Sequence, residues 1–112
     1  MIDSERLTTL LEPYGEDLMA LFFCKQGSGS AFLMKSVLED LLLDYQKQVG
    51  FLEINVEEDL GLAETFSIVE IPTLILFNTR THNLEGVYRG ISSKHSLRSE
   101  FNQVLSRMSP AA

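Results

Sequence analysis

The sequence predicts an α/β domain in which a mixed four-stranded sheet is flanked by helices on both faces. Three observations support this prediction. The run Leu18–Cys24 is entirely apolar, as expected of a strand buried on both faces. Residues 31–48 carry apolar side chains at helical spacing, with charged residues on the other face. The run Ile71–Phe77 is also apolar and is entered through a proline, which a strand tolerates at its start.

The remaining elements follow from changes in periodicity and from turn residues. Ser4 is expected to cap the first helix, and Ser30, at the end of the polar loop Gln26–Ser30, is expected to cap the long helix. A strand–helix–strand unit implies a parallel, right-handed crossover, whereas the short turn 78–83 predicts an antiparallel hairpin. The predicted elements are helix 4–11, strand 18–24, helix 31–48, strand 51–56, helix 58–66, strand 71–77, strand 85–89 and helix 93–107.

The length of 112 residues fits one domain with one core. We expect that domain to occupy 1–108, followed by a frayed tail at 109–112. No apolar run approaches the ~20 residues that cross a bilayer. Residues 1–6 lack the basic and apolar pattern of a secretory signal, and a single cysteine favours a reducing compartment. These features predict a cytoplasmic location.

The charge balance is acidic, with nine basic and sixteen acidic side chains and a formal net charge of −7. Binding to nucleic acid or to an anionic membrane depends on Lys and Arg, so neither partner is expected. The charge is compatible with a basic protein partner, and equally with solubility alone.

The sequence contains no recognisable metal, phosphate or serine-nucleophile site. Two histidines and one cysteine without close spacing do not make a metal site, so we expect neither a metal nor a cofactor. The Gly/Ser loop at 27–30 lacks the Gly-Lys-Ser/Thr of a phosphate-binding loop. His82 and His95 lie more than fifty residues after Ser28, which leaves that serine without a base. Both histidines are expected at the surface, and the loop is best interpreted as a helix cap.

Four segments together resemble the thioredoxin family. Ile71-Pro72-Thr73 resembles that family's cis-proline loop, and Asp44-Tyr45-Gln46 resembles the end of its long helix. Residues 53–57 and 87–90 are similar to its later strands. The resemblance needs no gap from Leu18 to Phe77 and covers about four-fifths of the chain, and we expect the family's usual first strand to be missing.

The resemblance also identifies what this chain has lost. The family's Cys-Gly-Pro-Cys falls on residues 28–31, with Ser28 at the attacking position and Ala31 at the resolving one. Thioredoxin chemistry requires a low-pKa thiolate at a helix N-terminus and a second thiol that releases the mixed disulfide. The resemblance therefore implies a redox-inactive member. Its supporting positions differ too: the buried acid falls on Phe22, its lysine partner on Glu53, and the two flanking tryptophans on Cys24 and Gly27.

The resemblance implies a partner-binding groove beside the cis-proline loop. In this family the loop offers main-chain hydrogen bonds to an extended segment, and apolar neighbours suit strand addition. Phe32 is expected to extend the groove, whereas Glu70, where the family often has a small residue, is expected to alter or partly block it. The alternative is that Ile71 and Pro72 serve folding alone. The corresponding groove positions are Val56, Ile71, Pro72, Arg89, Gly90 and Ile91, with Gly27 and Ser28 opposite.

The functional prediction is a non-enzymatic adaptor or assembly chaperone that binds a protein or peptide segment. It resembles the redox-inactive thioredoxin-like assembly factors, including those of hydrogenase maturation. One alternative is a monothiol disulfide oxidoreductase that uses Cys24, although a free cysteine ending an apolar strand is by default a small core residue. Another is a structural subunit. A monomer or weak homodimer is expected.

Overall fold

A computed structural model of the chain describes residues 5–108. The predicted cap at Ser4 and the predicted tail at 109–112 lie outside these residues. The elements are α1 (Glu5–Leu11), β1 (Leu18–Cys24), α2 (Gly29–Leu42), a 3-10 turn (Leu43–Tyr45), β2 (Val49–Asn55), α3 (Leu60–Thr65), β3 (Thr73–Asn78), β4 (Leu84–Arg89) and α4 (Lys94–Met108).

The strands form one mixed sheet in the order β2-β1-β3-β4. β1 pairs in parallel with β2, from Leu18 opposite Val49 to Cys24 opposite Asn55. β3 is antiparallel to both β1 and β4. The predicted fold class, with its parallel crossover and its final hairpin, is therefore confirmed.

Two apolar clusters, one on each face of the sheet, hold the fold together. All seven residues of β1 are buried, and successive side chains alternate between the faces. One cluster joins alternate β1 residues, Phe22 among them, to α2 and α4, and the ring of Phe22 stacks on Phe51 of β2 at 6.3 Å. The other joins the intervening β1 residues to Leu7 of α1 and Leu62 of α3. Helices therefore cover both faces, as the sequence predicts.

The prediction for the long helix was wrong at both ends. The N-cap is Ser28 rather than Ser30, because the Ser28 hydroxyl accepts a hydrogen bond from the Ala31 N–H at 3.2 Å. The helix ends at Leu42 and tightens into a 3-10 turn, and Lys47 then adopts φ 71°, which cannot continue a helix.

Other boundaries move by one or two residues. β2 begins at Val49 rather than Phe51, because Val49 already pairs with Leu18. α3 begins at Leu60 rather than at 58, since the Asn55 carbonyl accepts hydrogen bonds from the backbone N–H groups of residues 58 and 59 in a tight turn. α4 begins after Ser93, whose hydroxyl accepts from the backbone N–H of residue 96. Across the described residues, no helix is long and apolar enough to cross a membrane.

Replacing Phe22 tests the central packing. Phe22→Ala removes a fully buried ring and its stacking on Phe51. We expect the free energy of unfolding to fall by about 3–5 kcal/mol, because the lost burial adds to the cost of a cavity. Urea denaturation measures this change. Leu43→Ala, at a side chain that is 64% exposed, is the control and should change stability by less than about 0.5 kcal/mol.

Replacing Ser28 tests the helix cap. Ser28→Ala removes the acceptor for the Ala31 N–H, and we expect it to lower the free energy of unfolding by about 1 kcal/mol. Ser30→Ala is the matched control, because Ser30 is exposed and lies inside the helix. Equal effects of the two variants in urea denaturation would contradict the assignment of the cap.

Candidate functional site

The candidate site lies at one end of the sheet, where the predicted groove residues gather. The strand register places Cys24 beside Asn55 and Thr73 beside Arg89, with Phe23 opposite Thr73. The carboxyl ends of β1, β2 and β4 therefore meet the amino end of β3. Two backbone hydrogen bonds tie the adjoining loops to this end: Val56 N–H to the Cys24 carbonyl at 2.9 Å, and Gly90 N–H to the Pro72 carbonyl at 2.8 Å.

The N-terminus of α2 presents a serine cap and a buried alanine. Ser28 is half-buried, and its hydroxyl oxygen accepts from the backbone N–H of Ala31, whose own side chain is buried. Both histidines are exposed, as predicted, and His82 lies in the turn after β3, with its ring 5.5 Å from Phe77. The hydrogen bonds found among the described residues give the Ser28 hydroxyl no histidine partner. The geometry thus supports a capping role for Ser28.

Cys24 is buried at the end of β1, with 6% of its surface exposed. Its thiol donates a hydrogen bond to Glu53 Oε2 at 3.4 Å and contacts the Ile54 carbonyl at 3.7 Å. Burial, followed by the hydrogen bond to Glu53 and the charge of that carboxylate, raises the pKa of Cys24 to about 11. The thiol is therefore overwhelmingly neutral at pH 7.

Glu53 links Cys24 to the helix layer. Its other carboxylate oxygen forms an ion pair with Lys35 of α2 at 3.0 Å. Both side chains are more than a third exposed, so water screens the pair and its contribution to stability is small. The sequence analysis singled out Glu53 only because the thioredoxin family has a lysine at the corresponding position. Its contact with the thiol depends on the β1–β2 register.

Cys24 is one of the residues that line a cavity of about 650 Å³. Of the predicted partner-binding residues, Gly27, Ser28 and Phe32 line it. Two ion pairs flank it, Lys35–Glu53 and the pair that Arg6 forms with Asp59 at 2.9 Å. Sequence reasoning missed Arg6 and Asp59, because only the folded chain brings α1 beside α3. Among residues 5–108, no cluster of three His, Cys, Asp or Glu side chains could hold a metal ion.

The loop before β3 forms the other part of the site. The Ile71–Pro72 peptide bond is cis, and both residues precede β3 rather than beginning it, contrary to the predicted strand. The Glu70 carbonyl accepts from the Thr73 hydroxyl at 2.7 Å. The backbone N–H and C=O of Ile71 make none of the hydrogen bonds found in the described part of the chain. Ile71 therefore offers one free donor and one free acceptor.

The side chains around this loop are apolar and unusually exposed. Ile71 is half-buried, Ile91 is 59% exposed and Val69 is 80% exposed. Sequence reasoning missed Val69, because it lies among other apolar residues before the proline, such as Ile68, and nothing in the sequence marks it as exposed. Gly90 has φ +80°, a conformation that favours glycine, and a Cβ built on it would lie 4.0 Å from Glu70 Oε2. Glu70 thus lies beside Gly90, at the position where the sequence predicts an altered groove.

Comparisons with known proteins agree with this architecture. The family profile of thioredoxin matches residues 17–103. Thioredoxin of Staphylococcus aureus is 35% identical over 49 residues, which cover 44% of this chain and only 47% of the relative. Chloroplastic thioredoxin z superposes with a TM-score of 0.73 at 15% identity, covering 93% of this chain and 92% of the other. Thioredoxin-2 of the malaria parasite gives 0.71 at 19% identity, covering 77% and 82%. The chain belongs to the thioredoxin family.

Proposed function

We propose that this protein is a non-enzymatic member of its family, an adaptor or assembly chaperone that holds an extended segment of a partner protein beside Ile71 and Pro72. The observation that carries the proposal is the N-terminus of α2, where Ser28 caps the helix and Ala31 is buried. Dithiol exchange needs a thiolate and a resolving thiol at these positions. With one cysteine in the whole sequence, no disulfide can form within the chain.

The free backbone of Ile71 supports binding of an extended segment. An extended segment laid along the loop gains two main-chain hydrogen bonds there, because the N–H and C=O of Ile71 lack partners in the described chain. The exposed side chains of Val69 and Ile91 add apolar surface that such a segment would cover. Main-chain pairing then supplies affinity, and the apolar contacts supply selectivity.

The composition of the chain suggests the charge of its partner and the compartment in which this protein acts. A net charge of −7 favours a basic segment over nucleic acid or an anionic surface, and it also speeds encounter with a basic partner at low salt. A single cysteine suits a reducing compartment, so we place the protein in the cytoplasm as part of the proposal. Neither a metal nor a cofactor is part of it, and the protein acts as a monomer or a weak homodimer.

A monothiol oxidoreductase is the competing function, because Cys24 lines the 650 Å³ cavity and Lys35 lines it as well. A nearby cation lowers a thiol pKa, and Lys35 has that effect on Cys24. Burial and the Glu53 carboxylate outweigh it and raise the pKa to about 11. The two functions therefore differ in the reactivity that they require of Cys24.

Alkylation of Cys24 tests this difference. At pH 8 we expect iodoacetamide to modify the intact protein at least about tenfold more slowly than free cysteine, whose pKa is about 8.5. Glu53→Gln removes the carboxylate and should lower the pKa of Cys24 and speed the reaction. Glu57→Gln, at an exposed carboxylate after β2, is the control and should change nothing. Rapid alkylation at pH 7 with a midpoint below pH 8 would favour the monothiol enzyme.

Replacing Ile71 tests the groove. A photo-crosslinking residue placed at exposed Ile91 is expected to trap discrete partners in an extract of the source cells, identified by mass spectrometry. Adding Ile71→Asp should remove these adducts, because a carboxylate would be buried against the bound segment. Leu43→Asp is the control: it makes the same kind of change, apolar to Asp, at an exposed residue just after the far end of α2. Adducts that survive Ile71→Asp would exclude the groove.

A further inference from the structure

The outer edge of β2 carries unpaired backbone groups. β2 is the terminal strand of the sheet, and only β1 pairs with it among the described residues. The Val56 N–H donates to the Cys24 carbonyl, so the even-numbered residues of β2 direct their backbone groups towards β1. The N–H and C=O of Val49, Phe51 and Glu53 consequently point away from the sheet. None of these groups takes part in the hydrogen bonds found in the described chain.

The side chains of β2 are incompletely covered at this edge. Phe51 and Leu52 are both half-buried, on opposite faces of the sheet, and each packs against one of the two core clusters. A strand added beside β2 would therefore cover apolar surface on both faces at once. Natural edge strands usually carry a proline, a lysine or a bulge that prevents such pairing. β2 has none of these, and its register with β1 is continuous over seven residues. Its one charged residue is Glu53, whose carboxylate is paired with Lys35 of α2.

Charges near the edge indicate what would pair with it. Glu53 lies on the strand, and the exposed carboxylates of Glu57 and Glu58 follow directly after it. At the other end, Glu16 Oε1 is buried, has no hydrogen-bond partner in the described chain, and would lie 2.9 Å from a Cβ built on Gly50. Glu53 is already paired with Lys35, Glu16 Oε1 is buried, and the exposed Lys47 lies two residues before β2. The carboxylates open to a partner are therefore those of Glu57 and Glu58, and together with the net charge of −7 they favour a segment with basic residues near that end. A second copy of this chain would instead bring another net charge of −7.

We propose that the outer edge of β2 binds an extended basic segment of a partner protein by strand addition, at a surface separate from the groove at Ile71. The segment pairs its backbone with Val49, Phe51 and Glu53. Its central apolar residues cover Phe51 and Leu52, and its lysines or arginines lie beside Glu57 and Glu58.

Amide hydrogen exchange tests whether the edge is open. In the free protein, NMR should find that the amides of Val49, Phe51 and Glu53 exchange at least about 100-fold faster than their even-numbered neighbours, which donate to β1. Slow exchange at all three would overturn the proposal. Sedimentation would then show whether a second copy or the chain's own residues cover the edge.

A synthetic peptide tests whether a basic extended segment binds the outer edge of β2. The probe is acetyl-Lys-Val-Thr-Ile-Val-Lys-amide, whose two lysines allow either orientation. We expect it to slow exchange at Val49, Phe51 and Glu53 by at least about tenfold at saturation. The same peptide with alternate amides N-methylated, and a version with Glu in place of Lys, should each bind at least about tenfold more weakly. Equal binding by either control, or exchange effects confined to Ile71 and Gly90, would overturn the proposal.

A proline on the edge provides the matched protein variant. Glu53→Pro removes an outward N–H without removing a hydrogen bond to β1, whereas Glu53→Thr keeps that N–H. We expect the proline variant to bind the peptide at least about tenfold more weakly than the threonine variant. Ile71→Asp should leave peptide binding unchanged, which separates this surface from the groove. If Glu53→Pro does not fold, the N-methylated peptide decides the question on the unaltered protein.

Discussion

The structure depends on the complete burial of β1. All seven of its residues are shielded from water, so both faces of the strand must be covered and both of its edges must be paired. β2 pairs with one edge and β3 with the other, while α2 and α4 lie over one face and α1 and α3 over the other. Because β1 and β2 are parallel and β3 is antiparallel, this single strand also brings Cys24, Asn55 and Thr73 to one end of the sheet.

The same end of β1 carries the observations behind the proposal of binding rather than thiol chemistry. Phe22 fills with an aromatic ring the interior position where the family resemblance implies a buried acid, and the ring packs on Phe51. Two residues later, Cys24 is buried against Glu53, which stabilises its neutral form. At the start of α2, the Ser28 hydroxyl accepts the hydrogen bond that caps the helix. Each change serves packing or capping, while the backbone N–H and C=O of Ile71 make no hydrogen bond among the described residues.

The sequence was sufficient to predict the sheet, because a seven-residue apolar run such as Leu18–Cys24 between turn residues is typical of a strand buried on both faces. Burial of Cys24 was only the default interpretation, and the structure confirms it. The sequence did not specify the residues at which α2 begins and ends. Ser28 and Ser30 are equally good caps by residue type, and only the positive φ of Gly27 turns the chain early enough to select Ser28. Tyr45 continues the apolar spacing of the helix, although the backbone has already tightened into a 3-10 turn.

The positions of the candidate site stay a prediction from the family resemblance, whereas its contacts come from the structure alone. The groove residues around Ile71 follow from the family resemblance, and their gathering follows from the strand order. The contact of Cys24 with Glu53 joins residues 29 positions apart, and the pairing of Arg6 with Asp59 joins residues 53 apart. Such contacts depend on register and helix placement, which local patterns do not specify. The open edge of β2 likewise becomes visible only once its single neighbour is known.

The most direct test of the central claim is reduction of insulin disulfides in dithiothreitol. The reaction would compare this protein, its Cys24→Ser variant and a blank without protein, with an ordinary thioredoxin as the positive control. The account predicts that this protein and its variant both match the blank, because no thiol lies at the N-terminus of α2 and Cys24 is held neutral. Faster reduction by the unaltered protein that is lost in Cys24→Ser would contradict it and identify Cys24 as a catalytic thiol.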